Sequence, residues 1–330
     1  MKATREAYGE ALVELGREHP EIVVLDADLS SSTMTSGFAK EFPERFFNFG
    51  IAEANMMGAA AGLARSGKVP FASTFAVFAS GRAYDQVRQS IAYPGFNVKI
   101  AASHGGLTVG PDGASHQALE DIALMRVIPG MTVVVPADAE ETRQVVRWAA
   151  AHDGPVYIRL GRSPVPDVFP QGAPIQPGKA SVVKDAKGRG FGEMRPGGER
   201  DGLDADVAIL ANGIMVSKCL EAWELLAAEG ITSVVVDVAF VKPLDEKTLL
   251  ELAGRCGAFV TAEEHSVIGG LGGAVTEFLS ENCPCPVVRV GVRDRFGQSG
   301  TPEELLAEYG LTAEDIAQAA RKSLELKRAE

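Results

Sequence analysis

Residues 50–56 read GIAEANM and place one carboxylate, Glu53, directly ahead of a run of small apolar residues. That run, GAAAGLA at 58–64, is typical of a helix that packs closely against a neighbour. A carboxylate in such a setting is expected to be buried, and burying a charge is costly unless another group pairs with it. The pattern therefore predicts a specific partner for Glu53.

A second stretch that could do chemistry is SHGGLTVGPDGASH, residues 103–116. It carries His104 and His116, two of only five histidines in the chain, together with Asp112 and four glycines. The glycines allow the backbone to approach a ligand closely. Because loops of this length between a strand and a helix are usually functional, we interpret it as a binding or catalytic loop.

Aromatic and cationic side chains supply further candidates. Phe75 and Phe78 are three residues apart and can share one face of a turn, either as core or as the wall of a pocket for a flat heterocycle. Arg5, Arg159 and Arg162 stand out in an acidic chain. A guanidinium suits phosphate, although an ordinary ion pair is the alternative for any one of them.

The glycine run GGLGG at 269–273 resembles a dinucleotide loop only weakly. Its spacing is not GxGxxG, and the next apolar run, PVVRVGV at 286–292, contains no acidic residue to bind a ribose. Close packing of a helix on a strand is the simpler interpretation. Cys219, Cys256, Cys283 and Cys285 form no CxxC pair, so we expect inert thiols and no metal site.

These residues need a scaffold, and apolar runs that alternate with helical patterns provide it. The alternation predicts an α/β protein with two doubly wound domains and mostly parallel sheets. Strands are predicted at 21–28, 69–75, 97–103, 131–137 and 155–160, and again at 206–213, 232–239, 257–264 and 286–292. A helix is predicted at 81–92, between two of these strands. Asp28, Phe75, His104 and Arg162 fall at or just past strand ends, where such sheets hold their working residues.

A change of composition suggests the domain limits. Residues 163–203 are rich in proline, glycine and charge, which indicates an interdomain crossing and a flexible hairpin tip. We expect one domain at 1–165, a linker and hairpin at 166–203, and a second domain at 204–330.

The bulk properties limit the class of protein. The chain has 330 residues, a net charge of −12 and 46% apolar residues. This charge argues against nonspecific binding to nucleic acid or anionic membranes. No stretch resembles a signal peptide or a membrane span, so we expect a cytoplasmic location.

Taken together, these stretches resemble the C-terminal half of transketolases, which comprises a pyrimidine-binding and a C-terminal domain. The resemblance extends over nearly the whole chain and rests on GIAEANMMGAAAGLA, STFAVF, SHGGLTVGPDGASHQALEDIALMR and VRDRFGQSGTPEELL. Three departures are visible. Ala54 and Asn55 follow Glu53, where many transketolases have a histidine. Gly81 stands near the place of a third pocket aromatic, and the spacing between Phe78 and RAYDQV differs by about one residue.

The resemblance implies a role for each candidate residue. Glu53 would hydrogen-bond the aminopyrimidine of thiamine diphosphate, and His104 and His116 would bind substrate and shuttle protons. The implied cofactor-binding residues are Asp28, Ile51, Glu53, Phe75 and Phe78. The implied substrate-binding residues are Arg5, Ser32, His104, Asp112, His116 and Arg162.

The family's GDG motif, which holds the diphosphate and Mg2+, does not occur in this sequence. The resemblance therefore implies a split transketolase that acts on sugar phosphates and is active only with an N-terminal-half partner, as a heterotetramer of two of each subunit. The partner would supply most of the residues that bind Mg2+ and the diphosphate. The alternatives are half of a deoxyxylulose-phosphate-synthase-like or 2-oxoacid-dehydrogenase-like enzyme, or a non-catalytic module of the same fold.

Overall fold

Two sheets of mostly parallel strands, with helices packed on their faces, form the scaffold, and the predicted fold class is confirmed. The structure is a computed structural model that describes residues 1–193 and 201–329. In chain order the strands are β1 Lys2–Ala3, β2 Ile22–Asp26, β3 Phe46–Asn48, β4 Val69–Phe75, β5 Lys99–Ser103, β6 Thr132–Val134, β7 Val156–Arg159, β8 Pro164–Val165, β9 Ser181–Lys184, β10 Val207–Ala211, β11 Ser233–Asp237, β12 Phe240–Lys242, β13 Phe259–Ser266 and β14 Val287–Val292. The helices are α1 Thr4–Glu18, α2 Ser36–Glu41, α3 Glu53–Arg65, α4 Tyr84–Gln86, α5 Asp121–Arg126, α6 Ala139–Ala151, α7 Met215–Ala228, α8 Glu246–Arg255, α9 Leu271–Asn282, α10 Pro302–Glu308 and α11 Ala313–Arg328.

The first sheet has seven strands in the order β12-β6-β7-β5-β4-β2-β3. Neighbouring strands are parallel except for β12, which runs antiparallel to β6. The inner strands β2, β5 and β7 are buried at every position, which explains why they read as apolar runs without alternation. One face packs against α1, α2 and α6, and the other packs against α3, α5 and the segment between β4 and β5.

The second sheet has five strands in the order β14-β13-β10-β11-β9, of which only β9 is antiparallel to its neighbour. Helices α7 and α11 cover one face, and α8 and α9 cover the other. Asp245, Thr301 and Thr312 cap α8, α10 and α11 by accepting a hydrogen bond from a backbone N–H of the first turn. These caps fix where the helices begin.

The segment between β4 and β5 differs from the single helix that the sequence predicts at 81–92. It consists of π-helical turns at Phe78–Arg82 and Val87–Ala92 with α4 between them. A π turn spans more residues than an α turn. In this irregular segment Arg82 lies beside Phe78.

The two predicted domains are joined by more than the linker. Strand β12 follows β11 of the second sheet but pairs with β6 at the edge of the first. The short pair β1–β8 brings Lys2 opposite Val165, and so ties the start of the first domain to the start of the crossing. An isolated antiparallel bridge joins Lys184 to Gly190, while the predicted hairpin tip beyond residue 193 lies outside the described residues.

Candidate active site

Adjacent strand ends in the first sheet bring the predicted residues to one edge. Strands β2, β4, β5 and β7 lie in the central part of this sheet, and all four are parallel. Asp28 follows β2, Phe75 ends β4, His104 follows β5 and Arg162 follows β7. Asp28 and His104 both have positive φ angles, 65° and 61°. A non-glycine residue with such an angle is strained, and strain of this kind concentrates at functional sites.

An aromatic cluster forms where β4 and β5 end. The ring of Phe75 stacks on His104 with 3.8 Å between centroids and on Phe78 with 5.8 Å. His116, from the far end of the glycine-rich loop, meets Phe78 edge-on at 5.5 Å. Phe78 and His116 are half-buried, so part of this cluster is open to a ligand. The pocket interpretation of the two phenylalanines therefore fits better than core packing alone.

Glu53 is the first residue of α3 and is only 4% exposed. Its position in the first turn suits a negative charge, because the helix dipole is positive there. Arg82 donates from Nη1 to its Oε1 at 3.1 Å. The guanidinium of Arg82 also lies over the ring of Phe78, 4.0 Å from its centroid. Glu53 and the aromatic cluster are thereby parts of one site.

Arginines form a cationic group beside the histidines. Arg5 of α1 donates to the main-chain oxygens of Ser32 and Arg162, and Arg162 donates to that of Val109 in the loop. Burial is the main cause that lowers the pKa of Arg5. The charge of Glu6 raises this pKa, and the charge of Arg162 lowers it further. Two cationic side chains whose charges act on each other suit a phosphate group, whose oxygens could bind both.

His104 is buried next to these cations. Burial lowers the pKa of His104 to about 3, and the charges of Arg5 and Arg162 contribute to this shift. At neutral pH its imidazole is uncharged, with one nitrogen that donates and one that accepts. Nδ1 lies 3.0 Å from the hydroxyl of Ser103, which leaves Nε2 for a ligand.

The remaining predicted residues are more open. Asp28 is exposed and exchanges two hydrogen bonds with the side chain of Asn48 at the end of β3. Ile51 is 77% exposed, and Asp112 lies exposed in the loop. The structure thus brings the arginines, histidines, phenylalanines and Glu53 together, whereas Ile51 and Asp112 face solvent.

Arg159, also singled out in the sequence, serves a different purpose. It is buried, and its Nε donates to Asp121 at 2.8 Å. Its Nη2 donates to the main-chain oxygens of Ala118 and Glu264. Of the two alternatives, phosphate binding and an ion pair, the ion pair is therefore correct for Arg159. Its guanidinium holds the main chain at Ala118, next to the loop, and is not free to bind a phosphate.

The run GGLGG closes a helix terminus and does not cradle a ligand. The carboxylate of Glu263 accepts hydrogen bonds from the backbone nitrogens of Leu271 and Gly272 at the start of α9. A Cβ at Gly270 would lie 2.0 Å from Oε2 of Glu263. The glycines therefore permit close packing of helix on strand, and the space for a pyrophosphate is filled.

The site fits one part of thiamine diphosphate well. The half-buried ring of Phe78 can stack against a pyrimidine, and Glu53 near it can share a proton with a ring nitrogen. Among residues 1–193 and 201–329 there is no cluster of three or more potential metal ligands. In the same residues no helix is both long and apolar enough to cross a membrane.

Sequence reasoning did not assign a role to three residues of this site. Arg82 is the first residue of RAYDQV, but only the structure shows that it reaches Glu53. Asn48 precedes GIAEANM by two positions and contacts Asp28 across two strands. Glu264 belongs to the second sheet and binds the backbone nitrogen of Thr108, a contact that no local pattern reveals.

Comparisons with known proteins agree with this geometry. The family model for the transketolase pyrimidine-binding domain matches residues 1–167, and that for the transketolase C-terminal domain matches residues 198–316. A putative transketolase C-terminal section from Methanocaldococcus jannaschii is 47% identical over 96% of this chain and 94% of its own length. A 6-deoxy-6-sulfo-D-fructose transketolase subunit from a Clostridium species is 46% identical over 98% and 95%. A solved split-gene transketolase, described as an inactive β4 tetramer, is 59% identical with a TM-score of 0.88 and covers 99% of this chain and 100% of its own.

Proposed function

Because this chain belongs to the transketolase family, we propose that it is one subunit of a split transketolase that moves a two-carbon ketol unit between sugar phosphates. The observation that carries the proposal is the arrangement of Glu53, Phe75 and Phe78 beside the His104 and His116 pair. It offers an aromatic surface, a buried carboxylate, the uncharged imidazole of His104 and the half-exposed imidazole of His116 within one site. The domains proposed are 1–165 and 204–330, with the linker between them.

In this proposal thiamine diphosphate lies between this chain and a partner. Phe75 and Phe78 would hold the pyrimidine, and Glu53 would bond its ring nitrogen and hold the proton there. Asp28 and Ile51 would border the cofactor. When bound, the cofactor supplies the electron sink for the two-carbon fragment. A partner that carries the GDG motif would hold Mg2+ and the diphosphate, in an assembly of two of each subunit.

The remaining residues would handle the sugar. Arg5, Arg162 and Ser32 would bind the phosphate end, since the guanidinium of Arg5 reaches the main chain of the other two residues and lies near the charge of Arg162. His104 and His116 would bind hydroxyls and move protons, and Asp112 would bind a sugar hydroxyl. The inactivity of the β4 relative supports the view that the β chain alone cannot catalyse the reaction.

The test is reconstitution. The purified chain, with thiamine diphosphate and Mg2+, is expected to transfer no ketol unit from a ketose phosphate to an aldose phosphate until a GDG-carrying subunit is added. Activity of the chain alone would overturn the partner requirement. Activity of the mixture with pyruvate but not with the ketose phosphate would instead support the synthase-like alternative.

The role of Glu53 is tested in the same mixture. Glu53→Gln should lower kcat by about 100-fold or more, the usual contribution of a positioned acid–base group. Glu44→Gln, which changes an exposed carboxylate away from the site, is the control and should leave kcat unchanged. A Glu53→Gln enzyme with wild-type kcat would show that the catalytic carboxylate lies elsewhere.

A further inference from the structure

Arg82 occupies an unusual position between the two groups on which the proposed pyrimidine site depends. Its Nη1 donates to the carboxylate of Glu53 at 3.1 Å. Its guanidinium carbon also lies 4.0 Å from the centroid of the Phe78 ring. One planar, cationic group therefore takes both the hydrogen bond and the stacking contact of this site.

These are the two contacts that an aminopyrimidine would make. A guanidinium is flat, carries N–H donors and stacks on aromatic rings, so it resembles the face of that heterocycle and its edge when the ring nitrogen holds a proton. We propose that Arg82 is a placeholder: it fills the pyrimidine site in the unloaded chain and swings out when the cofactor enters. The inference rests on the proposed function, because it presumes that the site takes thiamine diphosphate.

Burial explains why a placeholder is useful. Glu53 is almost completely enclosed, and a buried carboxylate without a partner would destabilise the folded chain. Arg82 compensates this charge until Glu53 can share a proton with the ring nitrogen of the cofactor. Glu53 is thus paired before binding by the N–H of Arg82 and after binding by a proton that it shares with the ring nitrogen.

Exposure explains why Arg82 can leave. Its side chain is 54% exposed, whereas that of Glu53 is 5% exposed, so Arg82 reaches the carboxylate from the solvent side. Ion pairs and cation–π contacts of half-exposed groups are weak. Displacement should therefore weaken cofactor binding only modestly, by a factor that a binding measurement can resolve.

The test measures cofactor affinity, not turnover. Isothermal titration calorimetry of thiamine diphosphate, with Mg2+, into the cofactor-free complex of this chain and its GDG-carrying partner gives Kd. Arg82→Ala should bind about 3- to 10-fold more tightly than the wild type, since nothing then competes for Glu53 and Phe78. Arg88→Ala removes an exposed arginine from the same segment and should leave Kd unchanged.

Two further measurements make the result decisive. Arg82→Gln keeps a polar side chain and should also tighten binding, which guards against a variant that misfolds. Equal or weaker binding by the folded Arg82 variants, with normal wild-type binding, would overturn the placeholder and leave the proposed function intact. Absence of cofactor binding by the wild-type complex would overturn the proposed function, and the placeholder with it.

Discussion

A buried carboxylate such as Glu53 needs a partner in every state of the site. In the structure that partner is Arg82, and in the proposed complex it is a ring nitrogen of the cofactor. The charge of Glu53 is offset both by the guanidinium and by its place in the first turn of α3. The same residue thus contributes to a stable free chain and to a site ready for a heterocycle.

His104 leads to a prediction about pH. Because its pKa is lowered to about 3, it stays uncharged from pH 5 to 8 and cannot produce an ionisation in that range in the free enzyme. His104→Asn should lower kcat/KM about 10-fold through loss of one hydrogen bond to the substrate, and the shape of the pH profile should not change. The measurement is kcat/KM against pH for the reconstituted complex.

A control and a contrary outcome complete this prediction. His19→Asn replaces a more exposed histidine outside the site and should leave kcat/KM unaltered. Loss of an ionisation near pH 6.5 in His104→Asn would contradict the prediction, because it would show that His104 titrates as an ordinary imidazole.

At the scale of elements, the loop from 104 to 116 is held by both sheets. Glu264 of β13 accepts a hydrogen bond from the backbone nitrogen of Thr108, and its carboxyl lies against Gly106. A Cβ at Gly106, which has a φ of 87°, would lie 2.3 Å from that carboxyl carbon. From the first domain, Ser163 donates to the main-chain oxygen of Thr108. The second domain thus helps to place His104 and His116.

This arrangement predicts different effects for two substitutions of Glu264. Glu264→Ala should raise KM for a ketose phosphate about 10-fold, because a shifted loop misplaces the residues that bind it. Glu264→Gln keeps the accepting oxygen and should stay near the wild type. Steady-state kinetics of the two complexes measure the difference. An equal loss in both variants would mean that the charge, and not the hydrogen bond, is what the loop requires.

Most strands could be predicted from the sequence because buried parallel strands appear in it as short apolar runs. β2, β4, β5, β10 and β13 are of this kind. The short strands β3 and β12 could not be predicted, since three residues carry little pattern and β12 pairs with a strand about a hundred positions away. The π turns could not be predicted because their apolar pattern is too similar to that of an α-helix.

The same division applies to the site. Glu53, Phe75, His104 and His116 are predictable because residue type and local context are both informative. Arg82 and Glu264 are not, since each acts through a neighbour that only tertiary packing supplies. The roles assigned to all of the predicted site residues stay predictions, including those of Asp112 and Ile51, whose side chains are exposed.

For the whole molecule, the junction between the sheets also contains a group of buried acids. Asp138 and Glu141 lie at the start of α6 on the first sheet, and Asp237 ends β11 of the second. Both carboxyl oxygens of Asp237 are buried without a hydrogen-bond donor among the described residues. Burial, and then the charge of Glu141, raises the pKa of Asp237. A proton held between Asp237 and Glu141 would supply the missing hydrogen bond.

This shared proton makes the stability of the whole fold depend on pH. Burial raises the pKa of Glu141 from 4.5 to about 7, so the folded chain holds a proton that the unfolded chain has already released. The resulting stabilisation is complete below pH 4.5 and is lost as the pH rises towards 7. Asp237→Asn removes one acid and keeps the shape, so its melting temperature should fall less over this range than that of the wild type. Calorimetry at several pH values measures the melting temperature of each protein, with the exposed Asp85→Asn as the control. If the melting temperatures of Asp237→Asn and the wild type fell equally with pH, the two acids would share no proton.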